Sequence, residues 1–234
     1  MIKLSYVTIC VDYLDYLSIS YRHNRENFDD MIVVTAPHDL ATQRFCVESN
    51  MGLQVTDAFY QHGAVFNKGA GLNAGLQLAY ARAAARGETL DWVAILDADT
   101  FVPLNFREHL ERLILDPECM YGARRVLLPT RVDYEDWVSG RRPEGSFKSP
   151  NGLAFGWLQL INWQSSAIKG RPWGEWYPQS RDCTECDWRF MHFWGDLADE
   201  YTRTVGNVRE LPFSVYNLGP DGQNHVGRRS PPFV

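Results

Sequence analysis

Three short runs of apolar and β-branched residues constrain the fold more than any other feature of this chain: Leu4 to Val11, Met31 to Thr35 and Trp92 to Leu96. Each is followed at once by polar or loop-forming residues, the pattern of buried parallel strands. Between the second and third, Gly71 to Arg86 carries Leu72, Leu76, Ala79, Tyr80 and Ala83 at helical spacing, with an alanine-rich body and Gly87 as a stop. Strand and helix therefore alternate across the first hundred residues. That alternation predicts a doubly wound α/β sheet whose ligands gather at the carboxyl ends of the strands.

A chain of 234 residues with 45% hydrophobic content can bury one large core, so a single domain over residues 1–234 is expected. A net charge of −6 speaks against holding a polyanion by charge alone, which needs clustered Lys and Arg to displace counterions. No run approaches the roughly 20 apolar residues that cross a bilayer, and the first residues read as a strand without a cleavage site. The five cysteines are odd in number and scattered, as in a reducing compartment. A cytoplasmic protein is expected, in the host cytoplasm if the chain is phage-encoded.

From Asp133 to Pro178 the chain is rich in Gly, Pro, Arg and Trp, and only Leu153 to Trp163 alternates as a strand would. Thr184 to Tyr201 reads as a helix, with Thr184 and Asp187 spaced as a capping box and Trp188, Met191, His192 and Trp194 along one face. The tail, Asn207 to Val234, ends in Gly, Arg and Pro. No internal repeat is present.

The third apolar run ends in Asp97-Ala98-Asp99. Residues two apart on an extended segment project to the same side, so both carboxylates can face one ligand at a strand's end. Two such oxygens suit a hard cation, Mg²⁺ or Mn²⁺, which bridges to phosphate oxygens and neutralises a departing diphosphate.

In three ordered places the chain resembles the GT-A glycosyltransferases, notably family 2 and the galactosyltransferase-like groups. They are Val7-Thr8-Ile-Cys10-Val-Asp12 with Met31-Ile-Val-Val-Thr35-Ala-Pro-His-Asp39; Phe66-Asn-Lys68-Gly69-Ala-Gly71-Leu-Asn73-Ala-Gly75-Leu; and the Asp97-Ala98-Asp99 strand. The resemblance implies a Rossmann-like α/β GT-A domain with a mostly parallel central sheet flanked by helices. It implies a nucleotide-sugar-binding half over residues 1–105, and an acceptor-binding half with a C-terminal lid over 106–234. The donor would be a nucleotide sugar, a UDP-sugar by resemblance, and the cofactor Mn²⁺ or Mg²⁺. Thr8, Cys10, Asp12, Thr35 and Asp39 would line the base and ribose, Lys68 the diphosphate, and Asn73 the nucleotide's flank, with Asp97, Ala98 and Asp99 at the metal. The glycines after Lys68 could let backbone amides approach phosphate, although the P-loop order is absent.

Many inverting members carry an acidic cluster at a helix start after a Trp/Gly-rich loop. Here Trp173-Gly-Glu-Trp176 precedes Glu185-Cys186-Asp187. Positions two apart on a helix diverge. Asp187 then caps the helix from Thr184, and Glu185 is freer to act as general base. Cys186 stands where a family member could carry the catalytic Asp, which leaves both acids as candidates and the stereochemistry open. His225 is the candidate third metal ligand, beside Arg228 and Arg229 in a tail that could close over the diphosphate. Cys183 and Cys186 lack the second pair that a structural zinc needs. Trp157, Trp173 and Trp176 are candidate acceptor contacts, since aromatic faces stack on sugars or bases. The acceptor is left as a glycan, a small molecule or a modified nucleic-acid base. A nucleotidyltransferase would share the sheet and the carboxylate pair but opens with a Gly-rich loop, and Val11 to Ser20 holds no glycine. A non-catalytic sugar-binding module would explain the aromatics but not the paired aspartates.

Overall fold

The structure, a computed structural model, describes residues 2–147, 157–182, 186–198, 203–220 and 233. In chain order the elements are β1 (Leu4–Ile9), α1 (Leu14–Asn24), β2 (Asp30–Thr35), α2 (Leu40–Glu48), β3 (Gly52–Val55), α3 (Lys68–Ala85), β4 (Trp92–Leu96), β5 (Thr100–Phe101) and α4 (Phe106–Arg112). There follow β6 (Met120–Leu128), α5 (Arg131–Val138), β7 (Leu158–Asn162), α6 (Ser166–Lys169), α7 (Cys186–Met191), β8 (Gly195–Ala198), β9 (Arg203–Gly206) and β10 (Val208–Leu218).

Among the described residues, eight strands form one sheet in the order β3-β2-β1-β4-β7-β6-β10-β5, and β8 pairs with β9 apart from it. β1 lies between β2 and β4, parallel to both, and only β7 and β5 run against the other six strands. This is the mixed α/β sheet, mostly parallel and flanked by helices, that the resemblance implies. No helix among the described residues is long and apolar enough to cross a membrane.

The apolar runs become strands because both of their faces are covered. Val7, Val93 and Ile95 join one core with Leu72 and Leu76 of α3. Tyr6, Trp92 and Leu96, alternating with them, join the other with Phe28 and Phe106. Full burial of Leu72 and Leu76 contributes roughly 1.5–3 kcal/mol each. α3 lies close on the sheet because Gly75 has no side chain. A Cβ there would come within 2.6 Å of Val34 and 2.8 Å of Val7.

Local sequence placed β2, β4 and the carboxyl end of α3 to within one residue, left α1, α2, β3 and α4 unread, and missed the start of α3. α3 begins three residues before the expected Gly71, where the Asn67 side chain accepts from the Ala70 N–H at 3.0 Å, and it stops before Gly87, at φ +68°. The helix expected from Thr184 to Tyr201 is a correction. α7 covers only Cys186–Met191, and the chain turns through Trp194 into β8. Past Met191 the chain tightens, with Phe193 N–H donating to the Phe190 carbonyl at 3.1 Å and Trp194 N–H to the Met191 carbonyl at 3.0 Å, and the Trp194 carbonyl then accepts from Asn207 N at 2.8 Å. Thr184, its expected cap, lies outside the described residues. The tail begins as an eleven-residue strand inside the sheet, Val208–Leu218, which the sequence reading left undescribed.

Candidate active site

The chain lays β1, β2 and β3 outward in one direction, then returns to place β4 on the other side of β1. The direction of strand addition thus reverses at β1 and β4, and the crevice at their carboxyl ends is where open α/β sheets take ligands. Asp12 follows β1, and Asp97 is the first residue after β4.

Asp97, Ala98 and Asp99 form the turn from β4 into β5, closed by Thr100 N–H donating to the Asp97 carbonyl at 2.9 Å. Ala98 is buried, and its carbonyl accepts from the Ser20 hydroxyl at 2.6 Å. The two carboxylates take different partners. Asp99 Oδ1 accepts from Asn217 Nδ2 of β10 at 2.9 Å, and its carbonyl accepts from Leu218 N at 2.8 Å. Burial, and then the neighbouring Asp97 carboxylate, pushes the Asp99 carboxyl up to about 7.

Asp97 Oδ1 instead receives Lys68 Nζ at 2.7 Å, and the same ammonium donates to Asp187 Oδ2 of α7 at 2.9 Å. Burial works against the charge on Lys68, but Asp187 and Asp97 outweigh it and hold the lysine well above its usual range. Asp187 Oδ1 accepts from the Tyr177 hydroxyl, and Gln159 Oε1 lies 2.8 Å from that same phenol oxygen. Burial raises the Asp187 carboxyl despite Lys68. Burial, with Asp187 beside it, also keeps Tyr177 protonated as a hydrogen-bond donor. Asn73 fixes Tyr177 in turn: its amide donates to the Tyr177 carbonyl at 2.8 Å and accepts from the Tyr177 N–H at 2.7 Å. One network thus runs from α3 through the 170s loop and α7 to the end of β4.

Several expected contacts have other work. Asn73 is 4% exposed and holds Tyr177, so it is a positioning residue rather than a contact to a nucleotide. The side chains of Thr8, Cys10 and Thr35 are buried at 0–1% exposure, and burial leaves them no face for a ligand. Asp39 caps α2 by accepting from Thr42 N at 3.1 Å, and it also accepts from Asp12 N at 2.7 Å. The glycines after Lys68 admit neighbours: a Cβ on Gly69 would collide with the Pro178 carbonyl and one on Gly71 with the Phe59 ring. Asp12, at φ +55°, has a side chain 58% exposed, with His38 Nε2 3.2 Å from its carboxylate. Trp176 is core, Trp173 is 62% exposed against Tyr80, and Trp157 lies under the Arg125 guanidinium at 3.5 Å. Asp187 accepts from Lys68 and Tyr177, and Thr184, the cap expected with it, lies outside the described residues. Glu185 and His225 lie outside the described residues.

Sequence reading missed Tyr177, Gln159 and Asn217. For two of them a signal existed, because Gln159 and Asn217 are lone amides in apolar strands, and a buried amide needs a partner. The site fits a divalent ion in its chemistry. Asp97 Oδ2 and Asp99 Oδ2 make no hydrogen bond to a described residue, and two hard oxygens suit Mg²⁺ or Mn²⁺, which keep waters as further ligands. Among the described residues no group of three His, Cys, Asp or Glu converges on one point.

No protein-family model and no curated protein matches the chain. Solved structures resemble it loosely. One, described as a mycobacterial protein, is 14% identical over 92% of this chain and 65% of its own length, with a TM-score of 0.46. Another is glucosyl-3-phosphoglycerate synthase from Mycobacterium tuberculosis in complex with Mn²⁺, uridine-diphosphate and phosphoglyceric acid. It is 12% identical over 95% of this chain and 71% of its own, with a TM-score of 0.49. At these values the likeness transfers no residue role, ligand or activity.

Proposed function

We propose that the chain is a metal-dependent glycosyltransferase of the GT-A type, moving a sugar from a nucleoside-diphosphate donor, a UDP-sugar, to an acceptor hydroxyl. One observation carries this reading: the Asp97-Ala98-Asp99 turn sits at the crevice between β1 and β4, joined through Lys68 to Asp187. Asp97 and Asp99 would hold Mn²⁺ or Mg²⁺, which supplies charge neutralisation for the departing diphosphate. Asn217 holds one oxygen of Asp99, leaving the other for the ion. Lys68 stays cationic at the phosphate side, and the exposed Asp12 at the end of β1 stands on the nucleoside side in this reading.

Both Asp187 carboxylate oxygens are engaged, so its role is to anchor α7. Glu185, two residues earlier, is the proton acceptor of the transfer in this reading. His225 is its third metal ligand and the tail its lid, and exposed Trp173 its acceptor contact. The acceptor class is a glycan, a small molecule or a modified nucleic-acid base.

Thermal unfolding with UDP, with and without Mn²⁺, tests the reading. At about 100 times the dissociation constant the pair adds roughly 2.7 kcal/mol. Asp99→Asn abolishes the metal-dependent part, and turnover with it. No metal-dependent shift with any nucleoside diphosphate would sink the proposal. Release of UDP from a UDP-sugar separates an enzyme from a sugar-binding module.

A further inference from the structure

A cavity of about 540 Å³ opens between the loop after α6 and α7, with Arg171, Glu175, Gln179, Arg189, His192 and Phe193 in its wall. It shares with the Asp97–Lys68–Asp187 network only Tyr177, whose hydroxyl donates to Asp187. Its arginines differ from the acid-paired arginines elsewhere in the structure. Arg82 and Arg86 close on Asp30, Arg107 on Asp29 and Arg142 on Asp133. Arg171 and Arg189 form no ion pair with a described residue, although Glu175 lines the same cavity.

The Arg171 guanidinium is nevertheless held in place. Arg171 stacks 3.1 Å above the Phe193 ring, and a stacked guanidinium keeps its N–H edge for an acceptor in its plane. Burial without a compensating acid holds its pKa below the arginine norm. Arg189 donates one N–H to the Gln179 carbonyl at 3.3 Å, which leaves the rest of its fork. One stacked and one exposed cationic fork lining one cavity make a recognition site for planar or tetrahedral oxyanions. The volume lies within the roughly 300–1,000 Å³ of ordinary small-molecule sites. It exceeds the need of a lone phosphate ion.

We propose that this cavity binds a small molecule carrying a phosphate or carboxylate group, gripped by Arg171 and Arg189. The site stands apart from the sugar-transfer reading. Matched three-carbon probes test it on the full chain by calorimetric or NMR titration: glycerol 3-phosphate, glycerate and glycerol. Glycerol 3-phosphate or glycerate binds, glycerol does not, and affinity falls with added salt. A preference between the two anions identifies the group that the site takes. Arg171→Gln and Arg189→Gln each weaken that binding by roughly tenfold or more, while the response to UDP with Mn²⁺ is unchanged. Arg142→Gln, whose partner is Asp133, leaves anion binding as it was. If neither anion binds in the millimolar range, or glycerol binds equally well, the proposal fails. It fails also if both cavity variants bind as the unchanged protein does, and should one variant not fold, the other decides alone. If the anions bind but UDP with Mn²⁺ does not, only the transferase reading falls.

Discussion

The two ends of α3 carry opposite ionic arrangements. At its carboxyl end Arg82 and Arg86 converge on one acid, Asp30, whose side chain is 5% exposed. At its amino end one cation, Lys68, is shared by two acids, Asp97 and Asp187. The first arrangement agrees with the helix dipole, which favours cations at the carboxyl end. In the second the two acids suit the dipole, and Lys68 alone lies against it. Lys68 keeps its charge only because two carboxylates from distant parts of the chain face it, and that end still carries more acid than base. A cluster with surplus negative charge at a strand-end crevice is prepared for another cation. A cluster with its acid fully matched is a staple.

The largest expected effect separates the two acids of the α7 region. Glu185→Gln should slow sugar transfer roughly 10²- to 10⁴-fold with an unchanged melting temperature. Asp187→Asn should chiefly lower stability, by about 1–3 kcal/mol, through the weakened hold on Lys68 and Tyr177. If Asp187→Asn abolishes transfer at constant stability while Glu185→Gln stays active, the anchor and base roles are exchanged.

Lys68→Met should come next, since it leaves Asp97 and Asp187 facing each other without a cation. A loss of about 3 kcal/mol in urea unfolding is expected, the low end for a broken buried pair because Asp97 keeps solvent access. Arg86→Ala should cost only about 1 kcal/mol, as Arg82 still grips Asp30 through Nε and Nη2. Equal losses at the two ends would erase the distinction drawn between them.

The smallest effect lies in the aromatic wall beside the Asp99 turn. His23 stacks on Phe101 at 4.3 Å and shares a hydrogen bond with Tyr134 at 3.0 Å. Burial, helped by Arg22, lowers its pKa, so the folded protein prefers the neutral ring. Its stabilising share is present above the unfolded value, about 6.5, and is lost as pH falls through the lower folded value. Melting temperature should therefore decline below neutrality, and His23→Phe should flatten that slope. An unchanged slope would place the acid sensitivity in other groups.

The sequence by itself determined the pieces whose causes are local. Apolar runs buried on both faces read as strands, Gly87 stops a helix from its own chemistry, and an Asp pair directly after β4 marks the ligand end of the sheet. Tertiary structure decided everything that depends on distant partners. Lys68 and Asp187 stand 119 positions apart, so no local pattern shows that a lysine near glycines is a bridge rather than a solvated side chain. Asn73 follows the same logic, becoming a brace only when Tyr177 folds onto it, 104 positions away. Helical spacing past Met191 was real in the sequence, yet Phe190, Trp194 and the β9–β10 segment gained more by packing together than by one further turn. Local propensity is worth tenths of a kcal/mol per residue, whereas burying such aromatic side chains is worth several times that, and at those positions the long-range contacts prevailed.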